Sequence, residues 1–374
     1  MKVTSCSASR SVSARKTFHF TRRLHPSRQE GQQVFDDTMS TLELPDRSMA
    51  ALIIESTVCL ALNIISITGN SLVCLAVYRN RNLRSTTNVY IVALAISDLL
   101  VAMIEMPLAS ATLIIGRFDF GFALCQIQGF IGPFATYVTP ATMGLTAFNR
   151  YKRIVKANSY NKIFSPCRSK IWVCCLWMSL ALYLLIGRLT GWLNIGFIRG
   201  YAVCAFTYPT AASQIVQYTI MVGVLFFIPL CIGIFSYYKI FFKTSQHQQI
   251  VVPSLQNTTN ANNTRARRCT VKEINISRVL LYVGAGFLCC WIPLWALALW
   301  KRFSPETCPR IAELLVTFFR FLSSTINPFI YTFNNNDFRK EFRKLLGCPR
   351  GARTAPNDTT TATENEDLAV EANV

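Results

Sequence analysis

From Phe120 to Asn149 the chain reads FGFALCQIQGFIGPFATYVTPATMGLTAFN, and Arg150-Tyr151 follow. The run holds no Asp, Glu, Lys or Arg. About 20 mostly apolar residues in a helix span a hydrocarbon core, and buried soluble helices are rarely this long without a charge. The same absence recurs from Ile171 to Gly187, from Tyr201 to Tyr238 and from Val279 to Trp300. Working outward gives seven apolar segments, over 50–78, 87–112, 122–151, 169–189, 213–241, 275–300 and 311–333. Away from the segment ends the charges are few: Glu55 in the first, Asp98 and Glu105 in the second, and Arg320 in the seventh, after Glu313 at its mouth. The whole chain is only 15% charged, with mean hydropathy +0.31 and formal net charge +19. Few charges with a basic excess argue against nucleic-acid binding, which needs charge along a polar surface. The fold class is an all-α membrane protein, a seven-transmembrane helix bundle.

Basic residues set the orientation. They crowd the first, third and fifth connections (Arg79 to Arg84, Arg150 to Lys170, Lys239 to Arg278) and the stretch Arg339 to Arg353. That side is expected to be cytoplasmic, with the N-terminus outside and the C-terminus inside. Residues 1–49 form an extracellular N-terminal segment. Its basic, acid-free start is unfavourable to translocate and resembles a transit peptide; a start at Met39 or Met49 is the other reading. Residues 334–348 form an amphipathic interfacial helix, with Phe338, Phe342, Leu345 and Leu346 on one face. Residues 349–374 are a disordered cytoplasmic tail, and the polar run Ser254 to Thr264 is also expected to be disordered. The sequons at Asn257, Asn262, Asn275 and Asn357 lie on the cytoplasmic side, where they stay unglycosylated.

Each segment carries a motif: Gly69-Asn70; Leu94-Ala-Ile-Ser-Asp98; Cys125 with Asn149-Arg150-Tyr151; Trp177; Pro229 with Tyr237; Phe287 with Cys290-Trp291-Ile-Pro293; and Asn327-Pro328-Phe-Ile-Tyr331. In this order, one per helix, they resemble the rhodopsin-like (class A) G-protein-coupled receptors over residues 50 to 348. Cys125-Gln-Ile-Gln-Gly-Phe130 and Asn149-Arg-Tyr151 look most like the melatonin-receptor branch, although Pro328 stands where that branch typically has Ala.

The resemblance implies roles. A mid-bilayer carboxylate is costly, so Asp98 should face polar partners; Asn70, Thr139, Ser323, Ser324 and Asn327 lie at similar depth. In the family this cluster holds a sodium ion, and a water-filled network is the alternative. Pro229, Pro293 and Pro328 each remove a backbone hydrogen bond and permit a kink. Trp291 and Phe287 would pass ligand contact to the sixth helix, and Arg150 would pair with Glu273 at rest. The family usually has Asp before that Arg; Asn149 cannot titrate. Tyr151 completes the motif, and Tyr237 and Tyr331 are placed to meet in the active form. Cys125 and Cys204 would be bridged. Cys348 is a palmitoylation site or a plain thiol. Thr359, Thr360, Thr361 and Thr363 are candidate kinase substrates for arrestin recruitment. The partners implied are a heterotrimeric G protein, a receptor kinase and arrestin, membrane lipids and an extracellular small-molecule ligand, with no nucleic acid.

The expected pocket lining is Gly132, Pro133, Thr136, Tyr137, Met221, Val222, Leu225, Leu294, Trp295, Ala298, Thr317 and Phe321, with Trp291 beneath. It is mostly apolar and suits a small neutral ligand. Phe321 stands where opsins carry the retinal lysine, and Gly132 where amine receptors carry Asp. Glu105 lies seven residues outward from Asp98, and Arg320 seven outward from Asn327. Seven residues of helix rise about 10 Å, so the two charges share a depth. They form an intramembrane ion pair, or Arg320 serves a ligand carboxylate. Peptide, lipid and lysine-less opsin-like receptors are alternatives, and a membrane transporter is the non-receptor one. No His-Glu-x-x-His, Gly-x-Ser-x-Gly or phosphate loop is present, so no enzyme is expected.

Overall fold

The computed structural model describes residues 42–254, 261–303 and 308–347. Its seven long helices are α1 (Met49–Arg79), α2 (Thr86–Ile115), α3 (Gly121–Ile154), α4 (Pro166–Leu189), α5 (Ala211–Thr219 continuing to Ser254), α6 (Ala261–Phe303) and α7 (Arg310–Asn334). A short helix, α8 (Asn336–Leu345), follows. Side-chain caps start several of them: Ser48 accepts from the Ala51 N–H, Ser165 from Arg168, and Thr210 forms a capping box with Ser213. Among the described residues, six helices are long and apolar enough to cross a membrane. The exception is α3, whose run is diluted by threonines, prolines and glycines. It packs against α2, α4, α5, α6 and the outer hairpin. A helix so enclosed shows little surface to lipid and needs less apolar character there. The outer helices expose Ile53, Ile64, Ile171, Met178, Leu182, Ile234 and Phe235, as lipid contact requires.

Three features go beyond the sequence reading. First, the connection after α4 is an antiparallel hairpin, β1 (Asn194–Ile198) and β2 (Val203–Thr207). Second, α2 and α5 contain π-turns, at Val101–Glu105 and Ile220–Phe227. Each lies two residues before a proline, Pro107 or Pro229. A proline lacks the N–H of the helix ladder and its ring collides with the carbonyl four residues back; a widened turn there relieves both. Third, α5 extends to Ser254 and α6 begins at Ala261, so Ser254 and residues 261–264 of the polar run expected to be disordered are helical, with backbone bonds satisfied locally and no core required. The apolar face of α8 packs inward: Phe338 and Phe342 join an inner cluster with Val73, Val283 and Tyr331, and Asn80 donates to buried Glu341. Leu346 stays exposed.

Candidate functional site

The outer end is closed by short contacts between segments far apart in sequence. Cys125 and Cys204 form a disulfide that ties β2 to the start of α3. Residues 42–48 run back across the top as a strap. Leu44 N–H donates to the Gly116 carbonyl at 2.8 Å, and Phe118 N–H to the Leu42 carbonyl at 3.0 Å. Leu44 belongs to one buried cluster with Val203, Leu314 and Phe321. Arg47 and Arg310 both donate to Glu55, Arg310 through two bonds of 2.9 and 2.7 Å and Arg47 at 3.0 Å. At the hairpin tip, Ala202 has φ +54°. Beside it Lys301 pairs with Glu313 and lies 4.7 Å over the Tyr201 ring. Burial works against the Lys301 ammonium. The Glu313 carboxylate and the Tyr201 hydroxyl outweigh it and raise the lysine above its ordinary range.

Below this cap the sequence-predicted pocket residues fall into patches. Gly132, Glu105 and Arg320 meet between α2, α3 and α7: Arg320 Nη1 donates to Glu105 Oε2 at 2.7 Å, and Nη2 to Oε1. The two charges of the second and seventh segments therefore pair. An aromatic wall runs along α5 and α6. Phe287 and Trp291 stack at 4.9 Å, Trp295 lies 5.2 Å from Phe226, and Leu294 packs against them. The indole N–H groups of Trp291 and Trp295 are buried without a hydrogen-bond partner. A cavity of about 770 Å³ opens beside this wall, lined by Tyr218, Val222, Phe226, Trp295, Ala298 and Lys301 among others. Tyr137, Met221 and Leu225 instead pack toward α4. Thr317 donates to the Tyr201 carbonyl, and Phe321 is wholly buried against α1 and α2. Pro133 and Thr136 are half-buried on α3.

Deeper, Asn327 donates to Asp98 at 2.9 Å, and Asn70 reaches the Ser324 carbonyl at 2.9 Å. Thr139 contacts Ser97 and Ser323 bonds back to Arg320, so these two join the cluster only at its edge. At the inner end Arg150 is almost fully buried, and Asn149 donates to the Tyr160 hydroxyl at 3.3 Å. Tyr151 stacks beside Phe148 and Phe235. Tyr237 and Tyr331 share one apolar cluster. The side chain of Glu273, like Cys348 and the tail threonines, lies outside the described residues.

Two polar residues were missed by sequence reasoning. Gln128 is fully buried; its amide donates to the Glu105 carbonyl at 3.2 Å and accepts from Cys204 N–H at 2.8 Å. Gln217 joins the hydroxyls of Tyr183 and Tyr137, at 2.6 and 3.1 Å. A glutamine inside an uncharged span was the available signal, since a buried amide demands partners.

Residues 69–331 match the family model described as 7 transmembrane receptor (rhodopsin family). The chain belongs to the rhodopsin family of seven-transmembrane receptors. This family signals through heterotrimeric G proteins in response to a ligand and is not enzymatic. Among curated relatives, the chain is 31% identical to the mouse (Mus musculus) melatonin receptor type 1A over 288 residues, 76% of this chain and 77% of that one. It is 28% identical to the rat (Rattus norvegicus) histamine H2 receptor over 304 residues, 80% and 81% of the two chains. The crystal structure of squid rhodopsin superposes with TM-score 0.72 at 24% identity, covering 81% of this chain and 87% of that one, which bears on the fold alone. The rhodopsin-family receptor is thus a multi-pass membrane protein.

Proposed function

We propose that this receptor sits in the plasma membrane, N-terminus outside and C-terminus inside. There it binds a small, uncharged and largely apolar ligand among α3, α5, α6 and α7. The observation that carries the ligand class is the Glu105–Arg320 pair. Each charge of the pair is answered by the other, and the wall along α5 and α6 is aromatic and aliphatic up to Lys301, which is itself paired with Glu313. The unpartnered indole N–H groups of Trp291 and Trp295 add a preference for an acceptor oxygen on the ligand. Ligand contact at Trp291 would pass to Phe287 and swing α6 about Pro293. Asp98, Asn327 and Asn70 would hold a sodium ion or ordered water that biases this switch. Residues 1–49 serve as the outer segment, 50–333 as the receptor domain, 334–348 as the amphipathic helix and 349–374 as the regulatory tail.

Similarity to a melatonin receptor points to a neutral ligand and similarity to a histamine receptor to a cationic one. Gly132, with no side chain for an ammonium, favours the neutral class. The test is nucleotide exchange on a panel of G proteins, using membranes that carry the full chain, with melatonin as neutral probe and histamine as cationic probe. Exchange stimulated by the neutral compound is expected. Stimulation by histamine alone would overturn the ligand class, and solute flux without nucleotide exchange would overturn the receptor.

A further inference from the structure

At Gly132 the outer half of α3 presents no side chain, and another group fills that volume. A Cβ built there would stand 2.7 Å from Glu105 Oε1 and 2.8 Å from its Cδ and Oε2. Any larger residue would therefore push the carboxylate off this position. The π-turn of α2 delivers Glu105 to this place, and Gln128, one turn earlier on α3, holds that turn by its carbonyl. Arg320 then closes over both carboxylate oxygens, with its guanidinium 5.1 Å over the Phe321 ring. Glu105 is 1% exposed. Three helices have thus been fitted around one neutral pair.

We infer that Gly132, Glu105 and Arg320 form a charge-exclusion element, in which the receptor's own guanidinium occupies the carboxylate that a ligand ammonium would otherwise take. The inference rests on the pocket assigned above and says which ligands that pocket refuses. A monocation reaching Glu105 must expel Arg320 and leave a buried guanidinium without counter-charge. A monoanion at Arg320 does the same to Glu105. Losing one partner of a buried pair costs roughly a hundredfold or more in affinity. A neutral ligand leaves the pair intact. These residues set specificity by what they keep out.

The test uses the purified full chain in lipid nanodiscs and begins without ligand. Thermal unfolding is compared for wild type, Glu105→Gln, Arg320→Gln, the double variant and Gly132→Ala. Each single change is expected to lower Tm by several degrees, Gly132→Ala included, and the double variant to recover most of the loss. Histamine binding is then measured. Arg320→Gln, which bares the carboxylate, should bind histamine at least tenfold more tightly than wild type, and the double variant should not. Singles with unchanged Tm, a double no better than its worse parent, or no gain of histamine binding in a folded Arg320→Gln would each overturn the inference. Where Arg320→Gln yields no folded protein, recovery in the double decides. Coupling with amine gain supports the inference even if melatonin fails to bind, a failure that counts against the proposed ligand class alone.

Discussion

The outer end of the bundle and the inner ends of α5 and α6 are bordered by different kinds of contact. Outside, polar and covalent ties cross between segments: the Cys125–Cys204 disulfide, the Glu55 triad, the Glu105–Arg320 pair, the Gln128 bridge and the Lys301–Glu313–Tyr201 clamp. Inside, α3, α5 and α6 border an apolar cavity of about 190 Å³ lined by Gly144, Pro229, Gly233, Gly284 and their neighbours. Directional bonds fix one arrangement, whereas apolar contacts can be exchanged at small cost. The difference teaches where a signal can move the molecule. The outer side is clamped, and on the function proposed above the inner end of α6 would be free to swing where a G protein would dock.

Breaking the outer half hardest means Cys204→Ser. A crosslink between cysteines 79 residues apart restrains the unfolded chain by about 4 kcal/mol. Thermal unfolding and cell-surface staining should both fall sharply. Next, Glu55→Gln removes the one acid that answers two arginines, Arg47 and Arg310. A loss of about 3 kcal/mol is expected, measured as Tm against an Arg47→Gln control that loses less. The inner half is sharpened by Gly284→Ala. A Cβ there meets nothing within 4 Å, so removing a helical glycine should add about 0.5–1 kcal/mol. G-protein activation should be unchanged or reduced; a large gain would contradict the picture of a compliant α6. The smallest effect concerns pH. Lys301 is raised in the folded chain, so its contribution is present in full below the unfolded lysine range and is lost as pH rises through the folded value. Tm should therefore decline slightly more steeply above pH 10 in wild type than in Lys301→Met, by about 1–2 °C given its partial exposure.

How much of this was legible in the sequence depended on range. The seven spans were readable because scarcity of charge is a local property of each stretch, complete from Phe120 to Asn149. The Glu105–Arg320 pair was readable because helical rise converts equal spacing from Asp98 and Asn327 into equal depth. Pro107 and Pro229 could have signalled the π-turns. Gln128 was visible only as part of a family-like hexapeptide, since its partners sit on α2 and β2, at positions the sequence does not bring near. Phe321 was placed in the pocket by analogy of position, but the turn of α7 buries it against α1 and α2. The strap had no periodicity to betray it, because its bonds go to residues some 70 positions onward.

That strap has a practical bearing on how the receptor is handled. Ser48 caps α1, Arg47 reaches Glu55 and the Leu113 carbonyl, and Leu44 fills a place in the outer core. A reporter, epitope or crystallisation partner spliced in at residue 48 or 49 would cut through a finished surface rather than extend a loose end. Grafted ahead of residue 42, the same cargo would leave every one of these seams closed.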